Sequence, residues 1–200
     1  RAARPGPAGA PRFWDLYETV RLETGKVNIP LTVARYDREL AGQPLPEGER
    51  RRIRFSLADL VMGFRYDEFV FPGALAALAH AQRQGRTAIL SEGDQTFQPR
   101  KIWRSGLTEA ARGNVLVFEQ KVEHFGEAVA AFPGDHYVLV EDKPAILTEF
   151  RRQLGPGMVT TVLVRQGKYG RVPLEGPLAD LVLEDIGQFA GLGAAQLSGG

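Results

Sequence analysis

The chain contains no cysteine among its 200 residues. That absence excludes disulfide bonds, thiolate chemistry and cysteine-ligated zinc. The three histidines, His80, His124 and His136, share no metal-ligand spacing and read as ordinary helix or loop residues. No run of about 18 apolar residues occurs, so no membrane-spanning helix is expected. No signal peptide is visible in the opening residues, and the cytoplasm is the expected location. An excess of one charge is missing too. The formal net charge is +1, with 25 basic and 24 acidic residues, which gives no general attraction to nucleic acid or to a membrane surface. Arginine (20) far outnumbers lysine (5), a bias of the sequence with no functional content.

What is present suffices for one domain, or one domain with a modest insertion, and 44% hydrophobic residues can bury a sizeable core. Residues 1–11 are rich in proline, glycine and alanine, carry no apolar pattern, and read as a loop or disordered arm. From residue 12 the rhythm is helical. Phe13, Leu16, Tyr17 and Val20 form one stripe, closed by Gly25. A second helix over about 30–40 would turn Leu31, Ala34 and Leu40 inward, and a third would use Phe55, Leu57, Leu60 and Val61. The run Arg50-Arg51-Arg52-Ile53-Arg54 could meet phosphate or nucleic acid. It lacks interleaved aromatics, so a solvated helix face is the expectation. Trp14 and Trp103 read as packing residues.

The second half alternates strands and helices. Strands are expected at 87–90, 115–118, 137–140, 160–164 and 181–183. Helices are expected between and around them, at 72–84, 99–105, 122–131, 144–154 and 186–192. Such alternation predicts βαβ units and a parallel sheet with right-handed crossovers. The fold class is therefore α/β, a Rossmann-like parallel core over 71–200, preceded by an N-terminal helical cap over 12–70.

The most informative stretch is Tyr137-Val-Leu-Val-Glu141-Asp142-Lys143-Pro144. An apolar run ends in two acids and is followed by a helix, as at the carboxyl end of a buried parallel strand, where open α/β sheets bind ligands. Adjacent acids repel unless a cation is shared between them, and oxygen-only ligation suits magnesium. A solvated acidic turn that caps the next helix is the other reading. Two further strand ends carry polar residues: Ser91-Glu92-Gly93-Asp94, and Lys121 after Glu119-Gln120. Alone, Ser91 reads as a helix N-cap and Lys121 as a surface lysine. Together a hydroxyl donor, an ammonium and a metal-binding carboxylate are what a phosphoryl group requires.

The order of these residues, 30 from Ser91 to Lys121 and 21 from Lys121 to Asp142, resembles the haloacid dehalogenase superfamily over about residues 12–192. Phe71-Pro-Gly-Ala-Leu75 with Gln84-Gly85 is similar to the helix leading from cap to core. Arg104-Ser-Gly-Leu107 fits the turn after the second motif, and Ala179-Asp-Leu-Val182 with Asp185-Ile186 the closing strand and helix. Arg165-Gln-Gly167-Lys-Tyr169, with Asp94, Phe97, Gln98 and Lys101, resembles a less-studied hydrolase-like branch, from which no substrate follows.

The resemblance implies a magnesium-dependent phosphatase acting on a small phosphoester through an aspartyl-phosphate. Ser91, with Glu92 and Gly93, would bind the phosphate, and Lys121 would stabilise the phosphorylated nucleophile. Asp142, with Glu141, would ligate Mg2+. The expected partner is a small phosphorylated molecule, with neither nucleic acid nor membrane, and a homodimer is left open.

One motif departs from the family. The strand ending Asp-x-Asp-x-Thr, which supplies the nucleophile, is not found. Asp15-Leu-Tyr17-Glu-Thr19 has the right offsets but lacks the second Asp and lies in a helical pattern. In the family that strand lies between those ending at Ser91 and Asp142. The expectation is that residues precede Arg1, that another segment takes the place, or that the sheet closes up around a degenerate site. The last would leave a binding or regulatory protein on the same fold.

Overall fold

The structure, a computed structural model, describes residues 10–25, 27–167, 169 and 179–198, without the side chains of residues 10 and 58–62. Most of the expected arm, residues 1–9, lies outside the described residues, as does Lys168. Ala10 and Pro11, assigned to that arm, instead open helix α1 (Ala10–Thr24), whose first turn tolerates a proline because its amide would lack a partner anyway. Phe13, Leu16 and Val20 of α1 are buried, as the stripe predicts.

Helix α2 (Ile29–Ala41) starts at Asn28, whose side chain accepts from the Leu31 amide at 3.0 Å. Its buried stripe is Ile29, Thr32, Tyr36 and Leu40, whereas Leu31 is only partly buried and Ala34 is exposed. The expected stripe erred because it admitted only apolar residues. Thr32 can be buried because its hydroxyl donates to the Asn28 carbonyl at 2.8 Å. In α3 (Glu47–Gly63) Leu57 is buried, but Phe55 is 62% exposed under the Arg51 guanidinium, 5.7 Å from its ring centre. Leu60 and Val61 lie outside the described side chains. The arginine run pairs with surface acids: Arg50 with Glu47 at 3.2 Å and Arg54 with Asp37 at 2.7 Å.

Helix α4 (Ala74–Gln84) leads into the strands β1 (Ile89–Glu92), β2 (Val115–Phe118), β3 (Tyr137–Glu141), β4 (Val159–Val164) and β5 (Leu181–Leu183). The intervening helices are α5 (Phe97–Arg104), α6 (Leu107–Ala110), α7 (Phe125–Ala131) and α8 (Pro144–Leu154), and α9 (Ala194–Leu197) ends the described chain. Every strand pairing is parallel. β4 is buried along its whole length, and its two threonines bond His136 and Asp180. Gly73, at φ +81°, lets the start of α4 approach the turn at Gly187: a Cβ there would lie 2.5 Å from the Gly187 Cα.

Other boundaries differ from expectation. β1 runs over 89–92 where 87–90 is expected, so Ser91 is a strand residue opposite Val117, not a helix cap. Ladder pairing with β2 overrides the turn preference of Ser91-Glu92. The expected helices at 122 and 186 open as 3-10 turns, Lys121–His124 and Ile186–Gly191. Trp103 is 61% exposed and Trp14 39%, because Phe97 and Ile102 occupy the buried face of α5, and Phe13 and Leu16 that of α1. No described helix is long and apolar enough to cross a membrane.

The strands form two sheets, β1–β2 and β3–β4–β5. β1 and β3 do not pair, and among the described residues no strand lies between them. A cavity of about 890 Å³ is lined by both, through Ile89, Leu90, Leu139 and Val140, and also by Phe125 and Ala77. A sheet closed up by direct β1–β3 pairing is therefore not the arrangement adopted.

Phe125 is fully buried and meets Phe150 edge-on at 4.7 Å beneath β3. Phe125→Ala is expected to cost about 3–5 kcal/mol in urea unfolding, against about 0.5 kcal/mol or less for the exposed Phe55→Ala.

Candidate functional site

Polar residues collect at the carboxyl ends of β1, β2 and β3. Lys121 opens the turn after β2 and is the one buried charged residue among the described residues. Its ammonium donates to Glu141 Oε2, at the last position of β3. The two side chains are each 10% exposed. The other Glu141 oxygen accepts from the Lys143 amide at 3.3 Å. Both carboxylate oxygens of Glu141 are thus engaged by groups of this chain.

Asp142 follows directly. Burial raises its pKa first, and the hydrogen bond with Glu141 and that residue's negative charge add to it, so the carboxyl is pushed up to about 6. For Glu141, burial acts upward but is outweighed by the Lys121 charge and the hydrogen bonds from Asp142 and Lys121, which hold it below the usual carboxylate range. Lys121 thus favours ionisation of Glu141, whereas Asp142 stands against its neighbour's charge with only Lys143 acting to ease it.

The rim widens from this pair. Lys143 Nζ stands 3.9 Å from Glu92 Oε1, at the end of β1, and 4.8 Å from the centre of the Tyr169 ring. The loop after β4 closes in at Gly167, where a Cβ would lie 3.7 Å from Asp142 Oδ2 and 3.7 Å from the Phe71 ring. Glu92, Lys121, Glu141, Asp142, Lys143 and Tyr169 therefore share one rim. Ser91 and Gly93 meet Gln98 instead: the Gln98 amide donates to Ser91 Oγ at 2.8 Å, and the Gln98 side chain lies across Gly93. The sequence gives Lys143 no role, although its place directly after the two acids is a signal. Gln98 is named there within the resemblance to a hydrolase-like branch, but its contact with Ser91 becomes visible only once the turn into α5 is known.

The helical layer reaches this rim. Arg104 of α5 donates to the carbonyls of Phe64 at 3.3 Å and Gly63 at 3.2 Å, satisfying the end of α3. Phe97 of α5 belongs to the same apolar cluster as Phe13 and Tyr36. Burial pushes the Tyr66 hydroxyl up to about 12 and raises that of Tyr17, which stands within electrostatic reach of Tyr169.

The donor set fits magnesium. It is all oxygen, carries one carboxyl whose ionisation is opposed by its neighbour, and needs no third protein ligand, because magnesium keeps several waters and commonly takes one or two carboxylates plus substrate oxygens. Among the described residues no group of three His, Cys, Asp or Glu side chains could hold a metal by themselves. Asp142 would be the main ligand, since Glu141 is committed to Lys121 and the Lys143 amide.

A protein from Burkholderia xenovorans LB400, described as a haloacid dehalogenase-like hydrolase, has a similar crystal structure. The TM-score is 0.77 and the sequence identity 35%, over 92% of this chain and 82% of that one. No protein-family model and no curated protein matches the chain.

The raised Asp142 pKa fixes a pH dependence. A carboxyl whose pKa is higher in the folded state stabilises the fold below its ordinary pKa, and that stabilisation is lost as pH rises through about 6. In metal-free protein the melting temperature is expected to fall between about pH 4 and 7. Asp142→Asn should flatten that fall in a calorimetric pH series, and an unchanged slope would show that another group is responsible.

Proposed function

Because the chain belongs to the haloacid dehalogenase-like hydrolases, we propose that it serves as a magnesium-dependent phosphatase for small phosphoesters. The observation that carries this reading is the buried Lys121–Glu141 pair beside a frustrated Asp142 at the strand ends. A buried ammonium and an acid short of positive charge form a site that gains energy from a phosphate dianion together with a divalent cation.

In this reading the Ser91 hydroxyl and the Glu92 backbone hold the phosphate oxygens, while the Gly93 amide is committed to the Phe118 carbonyl at 3.0 Å. Lys121, already fixed by Glu141, neutralises charge on the transferring group and is held in position by that pairing. Asp142, with Glu141 beside it, would hold magnesium, which when bound supplies charge neutralisation and polarises the phosphoryl oxygens. The helical layer, tied to α5 through Arg104, would be the part that excludes water. Turnover through an aspartyl-phosphate needs an aspartate nucleophile, a role matched to no residue of this chain. The residues assigned here bind, orient and neutralise.

A second reading is supported by the saturation of Glu141. With both its oxygens engaged, Asp142 is the carboxylate left for a metal, which suits a protein that binds a phosphorylated ligand without turning it over.

The phosphatase reading predicts magnesium-dependent release of inorganic phosphate from small phosphoesters, reduced about 100-fold by Asp142→Asn. An unchanged rate in that variant would remove Asp142 from the metal site. Thermal-shift titration separates the two readings from a third outcome. Magnesium and phosphate should each raise the melting temperature, and more than additively together, in an enzyme or in a binding protein. Turnover then distinguishes those two, and no shift with either addition sinks both.

A further inference from the structure

The proposed function uses the carboxyl ends of the strands. At the opposite end of the two-stranded sheet lies a second, smaller cavity of about 280 Å³. It is lined by Gln82 and Gly85 at the end of α4, by Arg86 and Thr87 before β1, and by Arg112 and Asn114 before β2. Every lining residue is polar or glycine, so this space is not a packing fault of the apolar core.

Two guanidiniums border it, and among the described residues neither Arg86 nor Arg112 has a hydrogen-bond or ion-pair partner. The neutral side chains around them are already engaged. The Gln82 amide donates to the Ala110 carbonyl, and the Asn114 amide to the Thr87 carbonyl at 3.0 Å. The nearby Arg83 folds back on its own helix, to the Ala79 carbonyl at 3.1 Å and His80 Nδ1 at 3.2 Å. Glu109 is the acid closest to Arg112 along the chain, and Asp135 borders the larger cavity together with Arg86. Among the described residues neither acid pairs with these arginines. Like charges around one small space repel, and an anion between them turns that repulsion into attraction.

The backbone points the same way. Arg112 is the one non-glycine residue at positive φ among the described residues, at +54°. Gly113 beside it, at +78°, is the residue type that a helix end ordinarily places in this conformation. The turn is fixed by the Arg112 amide on the Glu109 carbonyl and the Gly113 amide on the Thr108 carbonyl, both at 2.9 Å. An arginine held where glycine would be relaxed marks a side chain with a use.

We propose that this cavity binds a phosphate dianion, free or carried by a small phosphorylated molecule, between Arg86 and Arg112. Two guanidiniums present planar forks of N–H donors that match a tetrahedral oxyanion, and their two charges balance a dianion where a carboxylate would balance one. The site lies at the other end of β1 from Ser91 and is independent of the function proposed above.

The test is titration calorimetry with inorganic phosphate and with glycerol phosphate, in EDTA and about 0.15 M salt, which screens diffuse surface attraction. Saturable binding is expected. Arg112→Gly relaxes the backbone, so its melting temperature should stay at or above that of the unmodified protein, while phosphate binding weakens about tenfold, as for one lost charge-assisted contact. Arg86→Gln should weaken binding to a similar degree, and Ser91→Ala, at the rim, should leave it unchanged. Tighter binding of either ligand supports the site and identifies its source. No saturable binding, an unchanged affinity in Arg112→Gly, or a loss that follows Ser91→Ala and not the arginines each overturns the proposal. Magnesium-dependent turnover is measured separately, and its absence sinks only the phosphatase reading.

Discussion

The structure depends on one buried ion pair. Lys121 follows the last strand of the two-stranded sheet, and Glu141 closes the first strand of the three-stranded one. Each side chain is nine-tenths covered, so neither charge could stand alone. Removing one partner of such a pair typically costs about 3–5 kcal/mol, because the other is left buried and unbalanced. The pair therefore does two jobs with one contact. It joins the strand ends across the cavity, and it sets the charge that the neighbouring carboxyl, Asp142, has to accommodate.

From that constraint the remaining rim follows. Asp142 is partly buried beside the charge of Glu141, with Lys143 opposing, and it keeps its proton to a higher pH than a free aspartate. Lys143 turns outward to Glu92 and Tyr169, in a part of the rim a quarter to a third exposed, where an ion pair contributes little to stability and more to orientation. The helical layer is joined to this edge by apolar packing at Phe97 and by the Arg104 guanidinium over the end of α3. The layer and the strand ends share α5, so the residue that touches Ser91 and the residue that packs under the layer move as one rigid element.

Much of this was legible in the sequence, for reasons that differ by element. β2, β5 and α8 fall where continuous apolar runs or a proline-opened helical stripe place them. The family could be read because Ser91, Lys121 and Asp142 keep their order and spacing. The phase of α2 could not, because its buried Thr32 looks polar until its backbone hydrogen bond is known. The end of β1 is misplaced because pairing with β2, 26 residues away in the Ser91–Val117 register, outweighs the local preference of Ser91 and Glu92. The commitment of Glu141 to Lys121 is also invisible along the chain. Adjacent acids look equivalent in sequence and become unequal only when one of them meets a buried cation.

The two ion pairs at the rim differ in what surrounds them. Among the described residues, Lys121 with Glu141 and Lys143 with Glu92 tie together strand ends on either side of the cavity. The first is shielded from ions by burial, while the second is open to them, so ionic strength weakens one contact and leaves the other fixed.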